Sequence, residues 1–187
     1  MKRFSASGFT LIELLVVIAI IGLLATMAVA SVAATQKKAR DTKRIAEIKQ
    51  IQTALEMYKD LNGKFPDNTD AGDGAGGYDI GCLGGPSGGD VFIDPLRTSR
   101  ILSKTVCDPN GTTILDAYAY YKYPAGSYGC DAARGDFYIF VAEKFESIAS
   151  PPHPNSPGFA CPARDWATAG GFGLGPTPAY VVGGFEN

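Results

Sequence analysis

The sequence contains a single histidine, a single tryptophan and four cysteines. Each scarcity removes a class of function. His153 lies in Pro-Pro-His-Pro-Asn with no nucleophile beside it, so no histidine-activated nucleophile is in view. There is no HExxH pair and no glycine loop ahead of a Lys-Ser/Thr pair, which removes the zinc-peptidase and phosphate-loop chemistries. Cys82, Cys107, Cys130 and Cys161 form no CxxC and lack the paired spacing of a zinc site. No internal repeat is present at any period, so a solenoid is not expected. Charge of one sign is not dominant either. With 17 basic and 19 acidic residues the net charge is −2, which argues against a general nucleic-acid-coating protein but not against a local basic patch. No enzyme is expected.

One absence is positive evidence. From Leu14 to Ala34 no residue carries a formal charge. At about 1.5 Å of helical rise per residue this stretch covers the roughly 30 Å of a bilayer's hydrocarbon core. Glu13 stands at its start, where a lone carboxylate costs at least ~2.5 kcal/mol and so needs a partner or a functional reason. A secretory signal is one rival explanation, because Ala28-Val29-Ala30 offers a small-x-small cleavage site before Ser31. Against it stand the length of the apolar region and Glu13. An uncleaved anchor explains the length, but neither the Gly8-Phe9 junction nor the glutamate. Lys37, Lys38, Arg40, Lys43 and Arg44 follow the span, and counting them alone would place that side in the cytoplasm.

The short basic leader up to Gly8, followed by Phe9-Thr10-Leu11-Ile12-Glu13-Leu14-Leu15-Val16-Val17-Ile18, resembles the processing site and N-terminal helix of type IV prepilins and type II secretion pseudopilins. The resemblance covers about the first 66 residues and the remainder only loosely. It implies that a prepilin peptidase cuts between Gly8 and Phe9 and methylates the new N-terminus at Phe9. Net charge would then be −4, since Lys2 and Arg3 leave with the leader. It implies further that Glu13, fifth in the processed chain, pairs with the N-terminal ammonium of a neighbouring subunit; a buried charge pair of that kind sets register more than stability. The implied partners are other copies of the chain, minor pilins, the peptidase, a cytoplasmic assembly ATPase and a membrane platform protein. Nucleic acid is not expected as a partner outside a DNA-uptake role. The implied location is a single-pass inner membrane with the head outside the cytoplasm, and then a surface or periplasmic filament. The family resemblance overrides the count of basic residues. A second function class is a secreted or anchored module that captures DNA or glycan and does not polymerise.

Within the span, Ala19, Gly22, Ala25, Ala28, Ala30, Ala33 and Ala34 let helices approach closely. Many family members carry a proline at the place of Ala30, and this chain does not. The helix is expected to continue to Leu61, with Ile45, Ile48, Ile51, Leu55 and Tyr58 on one face and Lys43–Glu47 and Glu56–Lys59 as supporting pairs. Asn62-Gly63 and Phe65-Pro66 end it. The expected organisation is a leader at 1–8, a transmembrane or filament-core helix at 9–34, an amphipathic helix at 35–62, and a loop-rich β head at 63–187.

In the head, residues 67–89 read as a surface loop in which Asp67, Asn68, Asp70, Asp73 and Asp79 could supply oxygens to calcium, although the spacing is not that of an EF-hand. No cofactor is otherwise expected. Residues 91–106 suggest a helical turn or a strand. Strands are expected at 116–123, 136–145 and 180–185, with a glycine-containing hairpin loop at 125–135. Three antiparallel strands over residues 45–61 give an α+β, pilin-like head. Its tyrosines read as core and cross-strand partners. Four cysteines in an exported head read as two disulfides. Three connectivities exist, and nearest neighbours give Cys82–Cys107 and Cys130–Cys161, each worth roughly 3–4 kcal/mol. Residues 150–161, with four prolines, are expected as an extended surface segment.

Overall fold

The computed structural model describes residues 8–68, 79–81, 92–109, 117–148, 150, 152–168 and 180–187, with the backbone alone at 27–30. Helix α1 runs from Leu11 to Asn62 without interruption, in keeping with the absence of proline. It ends as the sequence requires: the N–H of Gly63 reaches the carbonyl of Lys59 (2.7 Å) with Gly63 in the left-handed region at φ 73°. The chain forms two compact units, one up to Ala39 and one from Arg40 onward. The first holds the apolar part of α1, long and apolar enough to cross a membrane, with its described side chains exposed.

The second unit is α+β. After the last part of α1 come β1 (Asp79–Ile80), α2 (Asp94–Thr98), β2 (Tyr118–Tyr123), β3 (Phe137–Ala142), β4 (Ala160–Cys161), β5 (Arg164–Asp165) and β6 (Tyr180–Phe185). An antiparallel sheet is ordered β1-β2-β3-β6, and β4 and β5 pair separately. Tyr120 lies opposite Phe140, and Phe140 opposite Val182. Period-2 alternation therefore sends Tyr118, Tyr120, Tyr138, Phe140, Tyr180 and Val182 to one face, where they bury against Ile48, Ile51, Ala54, Leu55 and Phe65. At about 1.5–3 kcal/mol for each large apolar side chain, this layer holds α1 to the sheet. The helical stripe expected from sequence is this one, with Ile45 and Tyr58 at its margin.

The sheet departs from expectation in three ways. It has a fourth strand, the two-residue β1, which residues 67–89 did not announce. Its other face is also covered: Phe137, Ile139, Val141 and Val181 pack with Trp166, which is fully buried. The cover comes from residues expected on the surface. The Ser156 hydroxyl and the N–H of Gly158 bond the edge at Val181 (2.9 and 3.1 Å), and Phe159 stacks on Phe137 at 5.5 Å. Pro152, Pro154 and Pro157 are exposed, as proline content suggested, while Phe159 and Cys161 of the same segment pack on the sheet.

Tyr118, Tyr120, Tyr123, Tyr138 and Tyr180 are core residues. Tyr118 donates to Glu47 Oε2 (2.7 Å) and Tyr120 to the Pro66 carbonyl (2.7 Å), so both hydroxyls stay satisfied in the core. His153 packs beside Phe145 (4.9 Å) and Tyr180 (6.1 Å). Cys130 and Cys161 are joined, tying the β2–β3 loop to β4, and Cys107 is also disulfide-bonded. Cys82 lies outside the described residues, as does Asp116.

Candidate assembly site

Gly8 and Phe9 precede the helix and are exposed, and the position a Cβ would take at Gly8 has nothing within 4 Å. The absence of a side chain there leaves the Gly8–Phe9 peptide approachable. Thr10 precedes the first helical residue, Leu11, and Glu13 falls three positions later, the Ser/Thr-x-x-Glu spacing of a capping box. The structure closes it. The N–H and hydroxyl of Thr10 both donate to Glu13 Oε2 at 2.8 Å, and the N–H of Glu13 donates back to the Thr10 hydroxyl at 3.3 Å. A helix leaves its first N–H groups without internal partners, so a carboxylate is held there by hydrogen bonds and by the positive end of the helix dipole. Glu13 thus has local donors in the single chain and remains exposed, open to a further cationic partner. Thr10 was not singled out from the sequence, although its spacing to Glu13 could have found it.

A second cluster fastens the head to its own stretch of α1. Arg44 is fully buried, with Nε and Nη2 bonding both carboxylate oxygens of Asp108 (2.6 and 3.0 Å). Its Nη1 reaches Asp41 Oδ1 at 2.7 Å and Glu146 Oε1 at 3.0 Å. Arg40 Nε adds a bond to Glu146 at 2.8 Å. Asp41 in turn accepts the backbone N–H groups of Glu146 (2.9 Å) and Ser147 (2.7 Å). Hydrogen bonds from Arg40, then from Arg44, hold the Glu146 carboxyl down at about 2 against the effect of burial. Burial alone would raise Asp41, but the bonds from Ser147, Glu146 and Arg44 outweigh it and lower its pKa. Burial disfavours the charged form of Arg44, yet Asp108, Glu146 and Asp41 more than compensate, and it stays protonated. Two of the five cations that follow the apolar span are therefore neutralised inside the head. Asp41 is three positions from Arg44, but Asp108 and Glu146 lie 64 to 106 positions along the chain, which is why sequence spacing did not disclose them.

Some of the residues named for calcium are described. Asp67 pairs with Lys64 (2.6 Å) and Lys122 (3.2 Å), and Asn68 Oδ1 accepts the N–H of Lys122. Asp79 is buried in β1, and Asp70 and Asp73 lie outside the described residues. Among the described residues no group of three or more His, Cys, Asp or Glu is gathered to hold a metal.

Residues 3–29 match the prokaryotic N-terminal methylation motif. The type II secretion system core protein G of Klebsiella michiganensis is 41% identical over 66 residues, and that of Aeromonas hydrophila 39% identical over the same length. In its N-terminal part the chain is similar to the prepilins and pseudopilins. In both comparisons the match takes in 35% of this chain and 46% of the relative, so the chain spans about half the length of the curated relatives it matches. No solved structure matches it. Gly8, Phe9 and Glu13 all lie within the matched motif, whereas the Arg44 cluster and the cysteines lie beyond it.

Proposed function

We propose that the chain is a structural subunit of a type IV pilus or a type II secretion pseudopilus, cut after Gly8 and polymerised through its N-terminal helix. The observation that carries this is Glu13, a carboxylate fixed by Thr10 at the head of a membrane-length apolar helix, five positions after the processing glycine. Hydrocarbon strongly disfavours such a group unless it is paired. Cleavage would create an ammonium at Phe9, four residues from Glu13. In a staggered stack of helices the amine of one subunit meets the glutamate of the next and fixes the axial step. The exposed faces of Leu11, Ile12, Leu14, Leu15, Ile18 and Ile21 leave lipid and bury against neighbouring helices.

Two curated relatives named as secretion-system core proteins favour the pseudopilus over the pilus. The partners follow from this reading: further copies and minor pilins, the prepilin peptidase, an assembly ATPase and a membrane platform protein. The role is structural, with no chemistry performed by the chain itself. The decisive test is Glu13→Ala expressed with the assembly machinery. Membrane insertion and processing should persist, and sheared filaments should disappear from the surface fraction. Filaments in normal amount would contradict the proposal and favour an anchored module that does not polymerise.

A further inference from the structure

We propose that the hairpin of β4 and β5 is a flap over one face of the sheet, and that joining Cys130 to Cys161 is the step that closes it. The inference goes beyond the assembly reading and does not depend on it. Phe137, Ile139, Val141 and Val181 line that face, and Trp166 is buried against them. Trp166 nevertheless belongs to a segment with little regular structure: β4 and β5 have two residues each and form a sheet of their own. Hydrogen bonds fasten the segment at two places. At its start, the Gly158 N–H donates to the Val181 carbonyl (3.1 Å) and the Val181 N–H to the Ser156 hydroxyl (2.9 Å). At its tip, the Ala163 N–H donates to the Tyr128 carbonyl (3.0 Å).

The tip is the weaker anchor. Gly126, Tyr128 and Gly129 all have positive φ, at 80°, 52° and 75°. The left-handed region is costly for a residue as bulky as tyrosine, so a free loop leaves that conformation unless something fixes it. Cys130 follows directly, and its bond to Cys161 of β4 fixes both sides of the anchor at once. Ordering the roughly ten residues of the segment costs more conformational entropy than two aromatic rings and three hydrogen bonds offset. The disulfide makes up the difference. In the chain-entropy model it favours closure by about 30-fold if the tether is the roughly five residues from Ser156 to Cys161, and by about 500-fold over the whole separation of 31. Closing removes two electrons and two protons from the two thiols; a protein disulfide outside the cytoplasm takes them up and becomes two thiols. In the closed head the cysteines are 8% and 7% exposed, so the flap must open before another thiol can exchange with the bond.

The test uses the full chain in detergent, as wild type, as C130S/C161S, which retains Cys107 and its disulfide, and as wild type under a phosphine reductant. Acrylamide quenching reads Trp166, the single tryptophan. Amide hydrogen exchange reads Ala163 at the flap tip and residues 137–142 of β3. In C130S/C161S quenching should rise several-fold and Ala163 should exchange about 30 to 500 times faster, while β3 keeps its protection. The reductant should do the same to the wild type, and reoxidation should reverse it. Trp166 still shielded in C130S/C161S, with Ala163 exchange unchanged, would mean that packing alone closes the flap, and overturns the proposal. Loss of β3 protection in step with exposure of Trp166 would make the disulfide a support of the whole head, and overturns it equally. If the variant does not fold, the reductant applied to the folded wild type decides between these outcomes.

Discussion

Replacing Arg44 by methionine keeps most of the side-chain volume and removes the charge on which three carboxylates converge. The Arg44, Asp41 and Asp108 side chains are only 2%, 5% and 1% exposed, so water cannot take over from the missing guanidinium. Breaking a buried pair from one side costs about 3–5 kcal/mol. The unit from Arg40 onward has roughly 150 residues. At about 2.1 cal/mol/K of unfolding entropy per residue, that loss lowers Tm by about 10–16 °C. The assay is thermal unfolding of the full chain in detergent, followed by fluorescence of Trp166, the single tryptophan and a fully buried one. A pH series gives a second, independent readout. In the wild type, Glu146 is held at about 2, so its contribution is complete above the ordinary carboxylate range and lost as pH falls towards 2. In Arg44→Met, Asp41 is buried without that cation, which favours its protonated form and makes the variant's deficit shrink as pH falls. The difference between the proteins should therefore be largest near neutrality and narrower at about pH 4. A deficit below about 1 kcal/mol that does not change with pH would refute this account of the cluster.

Three further outcomes follow from single positions. Burial pushes Glu143 up to about 7, and its Oε1 has no hydrogen-bond partner among the described residues, so stability should decline as pH rises from the ordinary carboxylate range through neutrality. Glu143→Gln should therefore gain on the order of 1–3 kcal/mol at pH 8 and little at pH 4.5, and parallel pH–Tm curves would contradict this. At Gly183 a Cβ would come within 2.5 Å of Phe159 Cδ2 and 2.6 Å of the Tyr138 carbonyl oxygen. The β3–β6 ladder holds that carbonyl in place, so Gly183→Ala should cost about 1–3 kcal/mol by overpacking, measured by denaturant unfolding. Glu13→Gln keeps the shape but not the charge; it should insert and be processed like the wild type yet fail to restore filaments in the shear assay, and restored filaments would mean that polarity alone suffices.

How far the fold could be read from the sequence depended on the range of the interaction. Helix α1 declares itself locally, through an uncharged span, then Ile48, Ile51 and Leu55 at helical spacing, then Asn62-Gly63 as the stop. Strand β6 also declares itself, because β-branched residues and an aromatic bracket Gly183-Gly184. β3 was expected to run to Phe145 but ends at Ala142, where the chain turns to carry Glu146 to Arg40 and Arg44. The N-terminal motif that holds Gly8, Phe9 and Glu13 was legible because it is contiguous. What was hidden is non-local. Nothing in 150–161 announces that Phe159 and Cys161 close the second face of the sheet, and nothing near Arg44 announces Asp108 or Glu146. Two-residue strands such as β1 exist only because a neighbouring strand presents an edge to them.

The most direct measurement of the central claim is intact and N-terminal peptide mass spectrometry on the protein from its native membrane or surface fraction. The account predicts a chain that begins at Phe9 and is heavier by one methyl group, with no Gly8. A chain beginning at Ser31, or one retaining Met1, would contradict processing by a prepilin peptidase, and polymerisation through Phe9 and Glu13 would fall with it.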